Sequence, residues 1–417
     1  MSWRAAALVA LLTLPAAAAL ADDTPADAEA PATLGEALRA GAFDVTLRYR
    51  FETVDDDRFA DSADASTLRT TLAYRSAPLR GWSVFIEAED VSAIVDDDGY
   101  DNAGAGSLNN GVRDVPVIAD PVLTDLNQVH VRWQGAGATV TFGRQAIDLG
   151  DQRFVGAVGW RQNHQTFDAA RVQIGAGERT SIDYTYVDQV HRIFGDDRDL
   201  EAHLLFVPCM LAKGHVLTAY GFWLDYDDEP TLRRLSTTTY GIEYTGRHAV
   251  NDRVDLRFEL EAAHQDDAAD NPSIVDADYL LASIGGRFGP RFGVDVTWES
   301  LGDSLPANGS TRAFQTPLAT LHKWNGWADR FLSTPTGGLE TLYLRVRGKL
   351  TDALRWMVVY HDFQSTFEGV DYGSEIDAEL VWSAPWQQTF GLKFASYDAD
   401  RFSVDTEKLM AWTAYRF

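Results

Sequence analysis

Four arginines, Arg144, Arg153, Arg161 and Arg171, fall in the stretch GRQAIDLGDQRFVGAVGWRQNHQTFDAAR between Gly143 and Arg171. A guanidinium offers a planar fork of donors that matches a carboxylate. Set in a polar, glycine-rich stretch with Asp151 and Trp160, such groups suit an anionic or polar solute rather than a packed core. Further arginines stand at Arg48, Arg50, Arg69, Arg75, Arg132, Arg345 and Arg347. A second stretch of similar character, Gln315 to Gly338, carries His322, Trp324, Trp327 and Asp329. Acids such as Glu52, Glu89, Glu261, Glu299, Glu375 and Asp377 are as numerous on the same strand faces. The alternative to a solute path is therefore a ladder of wall charges that neutralise one another.

Other chemistry is poorly served. A hydrolase needs a nucleophile, a base and an orienting group within hydrogen-bond reach. His361, Asp362 and Ser365 are the one local grouping of that kind. On a strand His361 and Ser365 stand about 13 Å apart, too far for a nucleophile and its base. No catalytic residue, cofactor or metal is expected. Runs of consecutive acids, such as Asp55-Asp56-Asp57, Asp96-Asp97-Asp98, Asp227-Asp228-Glu229 and Asp266-Asp267, lack the alternating spacing of a calcium loop. They read as solvated loops, whose other role would be to share divalent cations with surface lipopolysaccharide.

The elements that must position these residues have a period of two. Phe43, Val45, Leu47, Tyr49 and Phe51 alternate with Asp44, Thr46, Arg48, Arg50 and Glu52. The same alternation returns at Leu68–Arg75, Val254–Ala262, Leu342–Arg347, Glu375–Trp382 and Lys408–Phe417. Segments of this length, about ten residues, match strands that cross a bilayer on a slant rather than ordinary soluble strands of about five or six. The connections alternate between short ones, such as Gly135–Gly137 and Gly289–Arg291, and long ones, such as Ser92–Leu126, Ile147–Gln165 and Leu301–Gly338. Short inner turns and long outer loops mark an outer-membrane barrel. The fold expected is all-β: a transmembrane antiparallel up-and-down β-barrel of about 18 strands, with short periplasmic turns and long extracellular loops. A barrel of that size leaves a water-filled bore.

Residues 1–21 read as a signal peptide, with Arg4, an apolar run and Ala19-Leu20-Ala21 before Asp22. Residues 22–40 read as a short periplasmic tail and residues 41–417 as the barrel. No later apolar run is long enough for a membrane helix. Cys209 is alone, so no internal disulfide is expected, and it falls in a predicted periplasmic turn. An excess of 62 acidic over 36 basic residues argues against nucleic acid as a partner. The two long stretches hold aromatic side chains that would be costly in open water, so both are expected to fold into the bore as constriction loops. Asp151, Trp160, His322, Trp324, Trp327 and Asp329 are their candidate pore residues.

The chain resembles the alginate export family of outer-membrane porins. The resemblance rests on Gly143-Arg144-Gln145, Asp151-Gln152-Arg153-Phe154-Val155-Gly156, Val158-Gly159-Trp160-Arg161-Gln162-Asn163 and Gln165-Thr166-Phe167-Asp168-Ala169. Arg48-Tyr49-Arg50-Phe51-Glu52, Ser66-Thr67-Leu68-Arg69, Ala119-Asp120-Pro121 and His322-Lys323-Trp324-Asn325-Gly326-Trp327-Ala328-Asp329 add to it. It implies an 18-stranded barrel in the bacterial outer membrane with an arginine-lined path for polyuronate. The expected function is passive passage of an anionic or polar saccharide-like solute. The alternatives are a general or small-carboxylate diffusion porin, or a non-conducting surface-binding barrel. Expected partners are outer-membrane lipid and lipopolysaccharide, the solute, and the barrel-assembly machinery through C-terminal Phe417.

Overall fold

Strictly alternating side chains can satisfy two solvents at once only if the strand separates them, and that is how the chain folds. The computed structural model describes residues 31–95, 97–226, 231–305 and 310–417. The leader at 1–21, the first part of the tail (22–30), Asp96 and the Asp227-Asp228-Glu229 run lie outside the described residues. In chain order the strands are β1 (Ala42–Asp56), β2 (Ala63–Arg75), β3 (Trp82–Ala93), β4 (Leu123–Gly135), β5 (Ala138–Gln145) and β6 (Thr166–Ala176). They continue with β7 (Thr180–His191), β8 (Asp197–Ala212), β9 (His215–Asp225), β10 (Thr237–Asn251), β11 (Val254–Asp267) and β12 (Asp276–Phe288). The last six are β13 (Phe292–Leu301), β14 (Leu339–Lys349), β15 (Leu354–Gln364), β16 (Asp371–Ser383), β17 (Gln388–Ala399) and β18 (Thr406–Arg416).

Each strand pairs antiparallel with the next, and β18 pairs with β1, so the 18-stranded sheet closes on itself and leaves no open edge. At the seam Arg50 stands opposite Trp412, and the Phe417 amide donates to the Val45 carbonyl at 2.9 Å. Among the described residues a helix, α1 (Leu34–Arg39), precedes β1; the Thr33 hydroxyl accepts from the Glu36 amide and caps it.

The outer face carries Phe142, Leu260, Ile284, Leu342, Ile376 and Leu392, all exposed, which is costly in water and stabilising in lipid. The inner face carries charge on β1, β2, β13, β14, β16 and β17, as the alternation predicts, while β15 turns Val359, His361 and Phe363 inward. Over the outer halves of β6–β9 the inner face is apolar. Phe167, Val187, Leu204, Tyr220 and Phe222 point inward, and loop residues Ile147, Leu149, Phe154 and Val155 pack on them as one apolar core. Those strands are apolar on both faces because one face meets lipid and the other meets a loop.

Several acid runs differ from the loop placement. Asp55 and Asp56 end β1, Asp266 and Asp267 end β11, and Asp197 opens β8. Cys209 lies within β8 rather than in a turn, where its sulfur accepts from the Thr180 hydroxyl at 3.3 Å. The strands run further toward the outer surface than the charge pattern suggests, because cross-strand pairing tolerates charge once the strand clears the lipid.

Candidate functional site: a bore crossed by two joined loops

The connection 146–165 enters the barrel between β5 and β6 and crosses it. On the far side Arg153 bonds Glu299 of β13 at 2.6 Å and the Tyr343 hydroxyl of β14 at 2.8 Å. β14 lies halfway round the ring from β5. Arg153 also pairs with Asp151 of its own loop at 2.8 Å and lies over the Trp324 ring at 3.9 Å. This loop therefore spans the full bore.

Its second half is held by the first two strands. Arg48 donates to Gln162 Oε1 and the Gly159 carbonyl, each at 2.9 Å, and to the carbonyls of Trp160 and Arg161. Arg50 donates to the Trp160 carbonyl at 2.7 Å and pairs with Glu52 at 3.3 Å and with Asp120. Arg69 meets the Gln162 carbonyl at 3.3 Å, Glu89 at 3.7 Å and the His164 ring. Gln162 donates to the Thr67 hydroxyl at 2.9 Å, and its amide donates to Asp120 at 2.9 Å. Burial and the neighbouring Arg69 and Arg48 push the His164 imidazole well below its usual range, so it sits neutral among cations.

The connection 302–338 comes from the opposite wall, between β13 and β14, and meets the first loop. Val155 and Leu318 form a parallel bridge, and the Gly156 amide donates to the Leu318 carbonyl at 2.9 Å. Trp160 stacks on His322, with centroids 5.2 Å apart and planes within 2°. Trp324 Nε1 donates to the Asp151 carbonyl at 3.2 Å. Arg161 bridges Asp329 at 2.7 Å and Glu52 at 3.2 Å. Lys408 of β18 adds a second cation to Asp329 at 2.7 Å. Burial would raise the Asp329 carboxyl, yet Lys408, His322 and Arg161 together hold it well below the carboxylate range.

His322 is the centre of the junction. Its Nδ1 bonds Asp329 at 2.7 Å and its Nε2 bonds Lys393 Nζ at 2.9 Å. A lysine only donates, so Nε2 accepts and Nδ1 carries the proton. Burial first, then Lys393, push the ring down to about 3. Lys393 Nζ sits 4.1 Å from the Trp160 centroid and 3.7 Å from that of Trp327, inside an aromatic cage. The Ala328 amide donates to Glu375 at 2.7 Å, which pins the loop to β16.

A family model for alginate export matches residues 40–390. The chain belongs to the alginate export family. It is an outer-membrane β-barrel channel. Among solved structures it is similar to OpdK of Pseudomonas aeruginosa, crystallised with vanillate: TM-score 0.70, 15% identity, covering 91% of this chain and 99% of that one. It is also similar to OccK9 (OpdG) of the same organism, at TM-score 0.73 and 12% identity over 91% and 99% of the two chains. OccAB2 of Acinetobacter baumannii gives 0.71 and 14% over 92% and 100%. At these identities the likeness concerns the fold. No curated protein matches the sequence.

In this alginate export family member the arginines fall into three groups. Arg50, Arg69, Arg153 and Arg161 are buried and tie loops to wall or to each other. Arg171 and Arg347 pair with inward wall acids, Asp183 at 2.5 Å and Asp295 at 2.9 Å. Arg75, Arg132 and Arg345 pair with no carboxylate among the described residues. Arg75 lies over Phe85 at 4.6 Å and Arg345 over Trp324 at 5.1 Å, while Arg132 leaves its Nε without a partner.

Arg144 departs from the expected pore lining. It stands opposite Asp168 and Val129, on the same face as exposed Phe142, and bonds Asp168 at 3.1 Å on the outside of the barrel. The glycine beside it explains the GRQ signature. Gly143 has φ +117°, and a Cβ there would collide with the Val129 carbonyl. Asp120, His164, Tyr343 and Lys408 also take part in holding the loops and carried no role in the sequence analysis, where Glu299 stood only as a wall charge. Asp120 sits in the Ala119-Asp120-Pro121 motif, which was the available signal.

Proposed function

We propose that this channel passes small carboxylate-bearing solutes of saccharide size by passive diffusion. The observation that carries the reading is the contrast between paired and unpaired arginines. Arg48, Arg50, Arg69, Arg153 and Arg161 are spent on holding the loops, while Arg132 and Arg345 have no ion-pair partner among the described residues. Exposed Lys323, which donates to the Asp151 carbonyl at 2.9 Å, adds charge beside Trp324. A cation without an acidic partner in a narrow wet passage attracts a passing anion and releases it to the next. The full crossing by 146–165 favours a single small solute over a polymer strand. OpdK, the structural relative crystallised with vanillate, supports a carboxylate as the ligand class.

Single-channel recording tests this. Reversal potentials in a salt gradient should show anion preference, and glucuronate should block the current more strongly than glucose. Arg132→Ala and Arg345→Ala should each move the reversal potential toward cations. If glucuronate and glucose block alike and neither variant shifts the potential, the channel is a general diffusion porin. Glu243 and Glu259 on the inner face favour that second reading. A barrel that carries no current would be a surface-binding protein.

We also propose that Phe417, packed edge-on against Tyr415 at 4.6 Å, is read by the barrel-assembly machinery. Deleting Phe417 should lower the amount of heat-resistant barrel in the outer membrane of cells while leaving refolding in detergent unchanged. Equal loss in both settings would assign Phe417 to the seam alone.

A further inference from the structure

We propose that the bore holds a notch for a primary ammonium group beside Asp151, which narrows the solute class to zwitterions that carry an amine as well as a carboxylate; the carboxylate half of that class rests on the function proposed above, and the ammonium half does not. The notch lies between loop residues 149–154 and the inner faces of β8–β11. Its acids are Asp151, Glu243 and Glu261, and the rings of Phe154, Phe206, Tyr220 and Phe222 wall it in. The space open to the centre of a water-sized sphere is about 20 Å³, enough for one water or one ammonium head.

Glu243 of β10 and Glu261 of β11 stand directly opposite each other on the inner face. Like charges in that position repel. No cation pairs with either glutamate among the described residues. Arg153 is within reach of both, but it is bonded to Glu299 at 2.6 Å and to Asp151 at 2.8 Å. Glu261 is nine-tenths buried; its Oε1 accepts from the Tyr220 hydroxyl at 2.6 Å, and its Oε2 has no hydrogen-bond partner among the described residues. Tyr220, on β9, leans over β10 to reach it because residue 241 is glycine, and a Cβ there would strike the ring. A carboxylate so buried, with one oxygen unmet, is stabilised by a donor that also brings positive charge.

The rings decide which cation. Tyr220 stacks on Phe222 with centroids 5.1 Å apart, and Phe154 closes on both, at 5.3 and 5.8 Å. Aromatic faces attract an organic cation and offer no oxygen ligand to a hard metal ion. Room for one water-sized group admits a primary ammonium and excludes a trimethylated one. The carboxylate end finds its partners at the same residue. The Asp151 carbonyl accepts from Lys323 Nζ at 2.9 Å and from Trp324 Nε1 at 3.2 Å, and Arg345 lies over the Trp324 ring. Neither Lys323 nor Arg345 has an ion-pair partner among the described residues. Acids without a cation and cations without an acid therefore meet at Asp151, a layout that matches the two ends of a zwitterion.

Saturation-transfer NMR titrations of the detergent-refolded barrel, with sugars that differ in one group, test this without relying on conduction. 2-Amino-2-deoxyglucuronate should bind at least about tenfold more tightly than its N-acetyl form, because a charge-assisted bond is gained. In Glu243→Gln/Glu261→Gln the two forms should bind alike, while the glutamine oxygen still accepts from Tyr220. Phe206→Ala enlarges the notch and should let the N,N,N-trimethyl form bind, which the wild type rejects. Heat resistance of the barrel on a gel checks that each variant is folded. Equal binding of the amine and N-acetyl forms by the wild type overturns the notch. So does a preference for the amine that survives the double glutamate variant. Glucuronate bound no better than glucose, with the amine preference intact, leaves the notch standing and overturns the carboxylate reading instead.

Discussion

Arg161→Ala should release the two loops from the wall and raise single-channel conductance, with frequent transitions between levels. Arg161 is nearly inaccessible and neutralises Glu52 on β1 and Asp329 on the opposing loop together. Burial opposes its charge, yet those two carboxylates hold the guanidinium above its usual range. Removing one partner of a buried ion pair leaves the other charge uncompensated, at a cost of about 3–5 kcal/mol. That is about two to four orders of magnitude in the ratio of docked to undocked loop, at about 1.4 kcal/mol per tenfold. Lys408 still contacts Asp329 and Arg50 still contacts Glu52, so the loss should fall at the lower end of that range, and the segment 159–162 should move first. Arg161→Lys should recover the level only in part, because one ammonium cannot reach both acids in a fork. Conductance identical to wild type in both variants would show that the bridge does not hold the constriction.

Acidification should loosen the same junction in a definite window. His322 is pushed down to about 3 in the folded channel, against about 6.5 when free. The unfolded or undocked state therefore binds the proton first. The sign follows: the contribution is fully present above about pH 6.5 and is lost as pH falls toward 3. Each unit of separation is worth about 1.4 kcal/mol, so the loss is on the order of a few kcal/mol. The geometry supplies the cause. Protonation would place an N–H at Nε2 against Lys393 Nζ, where the lone pair now accepts. Asp329, Arg161 and Lys408 complete the charged shell facing the ring. Conductance stepped from pH 7 to pH 4 should rise and become noisy. His322→Gln keeps a donor and an acceptor without titrating, and its trace should stay flat. Matching rises in both proteins would move the pH sensor elsewhere.

The barrel itself was legible, and the reasons are local. Phe43 to Glu52 alternate without a break, and the ring contains them in that register. The inward folding of the two long stretches was legible because Trp160, Trp324 and Trp327 need cover that a solvent-facing loop cannot supply. The fate of the arginines was not. Arg161 and Glu52 are 109 residues apart in sequence, and nothing in either neighbourhood announces the other. A lumen arginine free to meet solute and one consumed by a loop look alike as residue types. Arg144 is a different case. Its parity with Phe142 already placed it outside, but its charge suggested the bore; close to the outer rim a charged group pairs with Asp168 instead of facing lipid.

The seam between β1 and β18 has a consequence for how the molecule is made. The sockets for both loops are split across it: Arg48, Arg50 and Glu52 come from the first strand, Lys393 and Lys408 from the last two. While the ring is open, neither half offers a complete set. Contacts of such long sequence separation form late, after the entropy of closing the chain has been met. Biogenesis therefore passes through a wide cylinder, and narrowing is its final event. A membrane holding stalled, unclosed copies would leak, and the permeability of cells expressing C-terminally shortened chains would report on assembly rather than on transport.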